Sequence, residues 1–254
     1  MKIHKLVAAI ALRNRGSRLY GKPMQNLDVE SSTCILDNVI GCLRTEHCID
    51  EIVLGIAEGS DAQVFIDYAQ SNNLNFIIGD ETDVLSRLVL CGDKVDATDI
   101  FRVTSESPFP SYEMIDEVWK HHCNTNSDAT FYDDVVDGCG FEIIKLDALR
   151  KSHILGNERH RSELCTLFIR ENIKDFDVFR YPAQQDLIRQ DLRLSVDNAE
   201  DLILCKAVFQ QFKDIAPRIP LKKIINFLDQ NSKLVELTKP FTQKGYETMY
   251  RWVE

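Results

Sequence analysis

The sequence predicts an α/β fold in which a mostly parallel sheet is flanked by helices. Short apolar segments with the length of buried strands alternate with amphipathic ones through the first half: Leu6–Leu12, Ile52–Ala57, Asn75–Ile78 and Ile100–Val103. The segments between and after them repeat apolar residues at helical spacing: Ile35–Arg44, Ala62–Gln70, Val84–Cys91 and a helix containing Met114–Trp119. A β-α-β-α order implies parallel strands joined by right-handed crossovers.

The pattern changes after about residue 128 to one typical of mixed α+β structure. It predicts two strands and two helices: Phe141–Lys145, Leu192–Val196, Glu163–Asn172 and Glu200–Lys213. We expect this half to extend the same sheet and to form the pocket of a second substrate. The remaining residues predict a helix at Leu221–Asp229 and a packed tail. The expected organisation is one domain over 1–213, with a nucleotide half of about 1–125 and an acceptor half of about 126–213, followed by a helical extension over 214–254.

Bulk composition excludes several classes of function. The 254 residues carry a formal net charge of −10, whereas a nucleic-acid-binding face is usually basic. The sequence contains no run of about 18 apolar residues, which is the length needed to span a membrane. The apolar run after Met1 is too short for a secretory signal. We therefore expect a cytoplasmic protein, without nucleic-acid or membrane partners, and a homodimer.

The eight cysteines include no C-x-x-C pair. In a cytosolic chain they are expected to be free thiols or small buried apolar residues. The run His121-His122-Cys123 lacks a second ligand pair at zinc spacing. We interpret it as a cluster that caps the C-terminus of a helix.

A basic loop follows the first predicted strand. The residues from Ala11 to Lys22 read ALRNRGSRLYGK and hold four cations and two glycines. Arginine and lysine side chains bind phosphate oxygens, and ligands of α/β sheets bind beyond the carboxyl ends of the strands. In an acidic chain, this local positive charge predicts a polyanionic ligand accompanied by a metal ion.

The basic loop also resembles the signature A-x-R-x-x-S-S/T-R-L/F-P-G-K of bacterial cytidylyltransferases that make CMP-activated sugars. Its conserved positions correspond to Arg13, Ser17, Arg18, Gly21 and Lys22, whereas the usual proline is Tyr20. The resemblance is strongest to the spore-coat polysaccharide biosynthesis branch and next to 3-deoxy-manno-octulosonate cytidylyltransferase. It implies a Rossmann-like sheet of the nucleotidyltransferase (GT-A-like) type, CTP as a substrate and Mg²⁺ as the cofactor.

Two carboxylates follow predicted strands, where they could reach a magnesium ion on substrate phosphates. Glu106 stands in the run RVTSESP, where the family pattern R-V/I-T-G-D-x-P has aspartate as a metal ligand. Asp197 stands in LRLSVDNAEDL, which closely matches the family pattern. Taken alone, Asp197 would be interpreted as a helix N-cap; together with the basic loop and Glu106, it is predicted to be the second metal ligand.

Further matches concern the nucleotide and the acceptor. Gly79 and the run DVLSR, which ends at Arg87, resemble a family segment near the nucleotide. Ala11 and Arg102 are also assigned to the nucleotide side. Asp137 and Glu142 resemble an acceptor stretch. Glu163 and Thr166 resemble R-E-H-V-T, but the family arginine and histidine are Ser162 and Leu164 here. His160 could replace the histidine, although an exposed histidine at a helix start is the commoner explanation.

The predicted function is a cytidylyltransferase reaction: an acidic sugar or a related oxyanion attacks the α-phosphorus of CTP, and pyrophosphate leaves. Arg13, Arg18 and Lys22 would hold the triphosphate, Ser17 and Arg87 would assist on the nucleotide, and Glu106 and Asp197 would hold magnesium. Two alternatives remain. One is a nucleotide-binding paralogue that has lost catalysis, suggested by Glu106 and Leu164. The other is a glycosyltransferase, although Asp133-Asp134 is not its Asp-x-Asp motif.

Overall fold

The computed structural model describes residues 4–14 and 18–248, and its central element is a seven-stranded sheet. Its strands are β1 (Leu6–Leu12), β4 (Glu51–Ala57), β5 (Asn75–Gly79), β6 (Asp99–Arg102), β7 (Ala129–Tyr132), β8 (Phe141–Lys145) and β9 (Val178–Arg180), while β2 (Asn26–Asp28) and β3 (Thr33–Cys34) form a separate hairpin. The spatial order is β5-β4-β1-β6-β8-β7-β9, and β8 runs antiparallel to both of its neighbours. The predicted mostly parallel sheet is confirmed.

Helices cover both faces of this sheet. They are α1 (Ile35–Leu43), α2 (Gln63–Ser71), α3 (Val84–Lys94), α4 (Ile115–Thr125), α5 (Leu146–Leu155), α6 (Glu158–Arg161), α7 (Leu167–Glu171), α8 (Ala199–Gln211), α9 (Leu221–Gln230) and α10 (Ser232–Thr248). The predicted tail therefore contains a helix, α10, which packs against α8 and α9. Within the described residues, the helices are all too short or too polar to cross a membrane.

The side chains of β1 alternate between two apolar cores, because successive residues of a strand point to opposite faces. Leu6, Ala8 and Ile10 join one core with side chains of α1, α2, α4, α8 and α9. Val7 and Ala9 join the other core with side chains of α3, α5 and α7. A strand buried on both faces is continuously apolar, which is why β1 could be predicted from its composition.

The predicted strand Leu192–Val196 is wrong. Its only ladder contact among the described residues is an isolated bridge between Arg193 and Asp137. The segment is extended but lies between two loops: Leu194 N–H donates to the Asp137 carbonyl at 2.8 Å, and Val196 N–H donates to the Glu106 carbonyl at 3.0 Å. Its apolar side chains are buried. The alternation of apolar and polar residues that predicted a strand therefore reflects the burial of the apolar side chains where two loops meet.

The predicted helix Glu163–Asn172 is too long, because the helix here is α7, which begins at Leu167. Glu163 therefore lies in the connection between α6 and α7. Here tertiary contacts override local pattern: Thr166, the residue that caps α7, donates its hydroxyl to Glu142 at 2.9 Å.

Most of the cysteines, and His122, lie in the protein interior. All eight cysteines are free thiols, and six of them are buried. His122 is buried in the last turn of α4, where its ring contacts Asp99 Oδ1 at 3.1 Å and Thr130 Oγ1 at 2.8 Å. It thus links the helix to the sheet, and its interpretation as part of a C-terminal cap is wrong; the cap is Asn126, in the left-handed conformation.

Candidate active site

The basic loop begins at the carboxyl end of β1 and is closed by backbone contacts. Gly21 has a φ of 59° and donates its N–H to the Asn14 carbonyl at 3.0 Å. Tyr20, which replaces the family proline, accepts a hydrogen bond from Asn14 Nδ2 at 2.9 Å on its hydroxyl and another from Gln25 on its carbonyl. These bonds restrain the turn that proline would otherwise rigidify. The predicted nucleotide contact of Ser17 lies outside the described residues.

Two cations of this loop converge on Asp197. Lys22 Nζ lies 2.5 Å and Arg18 Nη2 lies 2.9 Å from the same oxygen, Asp197 Oδ1. Arg193 Nη2 contacts the other oxygen, Oδ2. Burial raises the pKa of the Asp197 carboxyl, but the hydrogen bond from Lys22 and the neighbouring positive charges outweigh burial and hold it below its usual range. The carboxylate is therefore charged and surrounded by cations.

Asp197 is held by the turn that starts α8. The N-cap of this helix is Asn198, not Asp197, so the alternative interpretation of Asp197 as the cap is wrong. Asp201, in the first turn, accepts the backbone N–H of Asp197 at 3.0 Å and of Asn198 at 2.8 Å. The Asp197 carboxylate is consequently left free of capping and can face the basic loop.

Arg193 links this turn to the sheet. Its guanidinium contacts three carboxylates: Asp137 at 2.6 Å, Asp201 at 3.3 Å, and Asp197. Asp137, predicted on the acceptor side, is buried in this contact, so the structure gives it a supporting role behind Asp197. The sequence analysis did not identify Arg193. The available signal was its position in a run of alternating apolar residues, four residues before Asp197 and eight residues before Asp201.

Gly138 permits the close approach that places Asp197. Its φ is +90°, and a Cβ there would lie 2.5 Å from the backbone nitrogen of Ser195. Gly138→Ala should therefore destabilise the protein by more than the 1–3 kcal/mol typical of local backbone strain alone, because backbone atoms cannot move aside. Gly59→Ala is the matched control: its φ of +134° is also unfavourable, but no atom lies within 4 Å. Equal losses in urea unfolding of the two variants would contradict this account.

Glu106 lies beside the Asp197 segment through its backbone, because its carbonyl accepts the N–H of Val196. Its carboxylate accepts the Ser105 hydroxyl at 3.0 Å. Among the residues that the structure describes, His, Cys, Asp and Glu side chains nowhere form a metal-binding group of three or more. Magnesium commonly takes one or two carboxylates together with substrate phosphates. The structure therefore places the Glu106 backbone beside the segment that carries Asp197.

Arg87 and Gly79 support the loop from beneath. The Arg87 guanidinium donates to the carbonyls of Leu12 at 2.9 Å and Gly55 at 2.8 Å, and the residue is 1 % exposed. Burial lowers its pKa. A Cβ at Gly79 would lie 2.9 Å from Arg87 Cγ, so the glycine makes room for this side chain. The structure thus places Arg87 where it links β1 to β4, whose residues Ala11 and Gly55 lie opposite each other.

The acceptor-side residues form a charged chain that reaches the basic loop. Arg13 contacts Glu163 at 3.0 Å, and Arg102 donates to the Glu163 carbonyl at 3.2 Å and to Glu142 at 2.9 Å. Glu142 also accepts from the buried Arg170 at 2.7 Å. Arg102, predicted on the nucleotide side, therefore contacts residues that are predicted on the acceptor side. Arg170 is a further residue that sequence reasoning missed.

His160 does not join this group. It is buried, contacts Glu171 at 2.9 Å and accepts the N–H of Asn157 at 3.0 Å. The expectation of an exposed histidine at a helix start is wrong, and nothing in its contacts replaces the family histidine at Leu164.

A small, shallow depression lies beside Arg13 at the carboxyl ends of β1 and β4. Its walls come from the basic loop, the segment after β4 and the loop after β5: Arg13, Asn14, Ala57, Glu58, Gly59, Ser60, Asp61, Ala62, Phe65 and Glu81. This edge of the sheet is where α/β proteins bind ligands.

The chain is similar to two curated proteins. It is 26 % identical over 242 residues to an uncharacterized protein of Methanocaldococcus jannaschii, covering 95 % of this chain and 98 % of that protein. It is 24 % identical over 234 residues to the spore coat polysaccharide biosynthesis protein SpsF of Bacillus subtilis, covering 90 % of this chain and 96 % of that protein. No family model matches the chain.

Solved structures share the fold. A cytidylyltransferase from Leptospira borgpetersenii superposes with a TM-score of 0.83 at 18 % identity, covering 98 % of this chain and 100 % of that chain. CMP:2-keto-3-deoxy-manno-octonic acid synthetase complexed with CTP superposes with a TM-score of 0.60 at 15 % identity, covering 82 % and 99 %. These matches confirm the predicted nucleotidyltransferase-like fold and the predicted resemblance to cytidylyltransferases.

Proposed function

We propose that this protein is a magnesium-dependent cytidylyltransferase that transfers CMP from CTP to an acidic sugar or a related oxyanion and releases pyrophosphate. The observation that carries this proposal is the convergence of Lys22 and Arg18 on Asp197, beside Glu106, at the carboxyl edge of the sheet. The choice of CTP, and of an acceptor used for surface polysaccharide or glycoconjugate precursors, rests on the similarity to the proteins described above.

The proposed reaction depends on positioning and charge neutralisation. An acceptor oxygen forms a bond to the α-phosphorus, the bond from that phosphorus to the α–β bridging oxygen breaks, and any acceptor proton passes to solvent. Lys22 and Arg18 hold the triphosphate and neutralise the leaving pyrophosphate. Glu106 and Asp197 would hold magnesium, which when bound neutralises phosphate charge.

Arg13 occupies the boundary between the two substrates. It lines the depression beside β1 and also contacts Glu163 of the acceptor side. We assign it to the phosphate nearest the acceptor, with Arg102, Glu142 and Glu163 shaping the acceptor pocket. Arg87 keeps the strand ends beneath the phosphates in place, and Ser17 remains a predicted nucleotide contact.

The direct test is pyrophosphate release from CTP with a panel of acidic sugars and phosphonates, with magnesium and with excess EDTA. Release that requires both an acceptor and magnesium is expected. Full turnover in EDTA would contradict the metal requirement. A glycosyltransferase would instead consume a sugar nucleotide without releasing pyrophosphate. The Asp133-Asp134 pair does not offer a metal motif for that reaction, since Asp133 is bonded to Arg170 and Arg180, each at 2.7 Å.

Lys22→Ala should lower kcat/KM for CTP by about 10²–10³, the effect of removing one preorganised donor to developing charge. The matched control is Lys120→Ala, which removes an ammonium bonded to a carboxylate at the same 2.5 Å but on the surface of α4. Steady-state kinetics with any acceptor that supports release measures both. Unchanged CTP kinetics in a folded Lys22→Ala protein would contradict the proposal that the basic loop binds the triphosphate.

A further inference from the structure

The two oxygens of Asp197 have different surroundings. Oδ2 contacts Arg193, whose side chain is buried and also bonded to Asp137 and Asp201. Oδ1 contacts Lys22 and Arg18, and the Arg18 side chain is about half exposed. The carboxylate is thus anchored on one side by a buried guanidinium and paired on the other with two cations, of which Lys22 is partly buried and Arg18 is open to solvent.

The same two cations would be needed by a polyphosphate. The Lys22 ammonium and the Arg18 guanidinium already donate to Oδ1, and bonding to a phosphate must weaken or replace those contacts. The negative charge of Asp197 would also remain beside the incoming anion, where like charges repel. A divalent cation on the carboxylate changes the sign of the local charge, so that the repulsion becomes attraction.

We propose that Asp197 is an internal counter-ion that occupies Lys22 and Arg18 in the nucleotide-free protein, opposes polyphosphate binding without metal, and makes divalent cation and nucleotide bind cooperatively. This proposal rests on the proposed function for the identity of the nucleotide. Because such coupling is reciprocal, the nucleotide raises the affinity for the cation by the same factor. Arg193 keeps Asp197 in place while its Oδ1 partners change.

Calorimetric titration with inorganic tripolyphosphate and with CTP tests this proposal, using wild-type protein, Asp197→Asn and the surface control Asp186→Asn. In EDTA, Asp197→Asn should bind either probe about tenfold more tightly than wild type, within the usual range of site-to-site coupling. With excess magnesium the order should reverse. Asp186 pairs with Lys222 on an exposed surface, so its variant should match wild type in both buffers.

Lys22→Ala provides an independent test that leaves the Arg193–Asp197 contact intact. In EDTA, removing the Lys22 ammonium should change the affinity for tripolyphosphate by less than about threefold, because Asp197 already neutralises that charge. With magnesium, the same substitution should weaken tripolyphosphate binding by tenfold or more. Equal losses in both buffers, or an Asp197→Asn protein that binds no more tightly in EDTA, would overturn the counter-ion proposal. Absence of pyrophosphate release from CTP, with the EDTA result intact, would overturn the proposed function alone.

Discussion

Replacing Arg193 with leucine is expected to lower the free energy of unfolding by about 3–5 kcal/mol, the cost of removing one partner from a buried ion pair. Three carboxylates share this guanidinium, and the Asp201 side chain is 0 % exposed while that of Arg193 is 5 % exposed. Without the arginine, negative charges would stay in a poorly solvated interior. The leucine side chain restores part of the volume and none of the charge.

Urea denaturation followed by circular dichroism measures this loss, with Arg150→Leu as the control. Arg150 also contacts two carboxylates, Asp93 and Asp147, but its side chain is about half exposed, and exposed pairs contribute about 0–1 kcal/mol. A loss below about 1 kcal/mol in Arg193→Leu would mean that water reaches the cluster. It would also remove the basis for treating Arg193 as a fixed anchor of Asp197.

Most strands in the first half of the sheet could be predicted because they are short apolar segments. A parallel strand buried on both faces needs apolar side chains along its length, which holds for all of β1 and for β4 after Glu51, whereas β5 is partly exposed. The short strands β7 and β9 escaped prediction, because three or four residues are too few to show a period. Their places are fixed instead by pairing with β8 and with each other.

Part of the candidate site could be predicted from charged residues that follow apolar segments. Arg18, Lys22 and Asp197 were singled out in this way, and their side chains do meet. The contacts of Arg87 and Asp137 could not be inferred, because both are charged groups with buried partners: backbone carbonyls for Arg87 and a guanidinium for Asp137. Sequence spacing does not reveal which charges are buried, since burial depends on segments far apart in the chain.

Position 106 is expected to have the largest effect on turnover. Glu106→Gln removes a charge while nearly preserving shape, and a neutral amide is a poor magnesium ligand. If Glu106 binds the metal, kcat/KM for CTP should fall by about 10³ or more, because metal-ion catalysis contributes several kcal/mol to transition-state stabilisation. Steady-state pyrophosphate release measures this, and Glu236→Gln, which changes an exposed carboxylate of α10, is the control.

Glu106→Asp separates a working enzyme from a paralogue that has lost catalysis. Aspartate is the residue at this position in the cytidylyltransferases that the chain resembles. The loop around Glu106 is held by the hydrogen bond from Val196 N–H to the Glu106 carbonyl and by the 2.5 Å contact between the Thr104 and Ser107 hydroxyls. Because glutamate is only one methylene longer, we expect wild type to be active and Glu106→Asp to retain or raise that activity. Activity that appears only in Glu106→Asp would show that the metal position is disabled in the natural chain. Undiminished turnover in Glu106→Gln would instead exclude Glu106 as a ligand and leave Asp197 as the sole proposed carboxylate, since no amide can supply the missing charge beside a divalent ion and three phosphates.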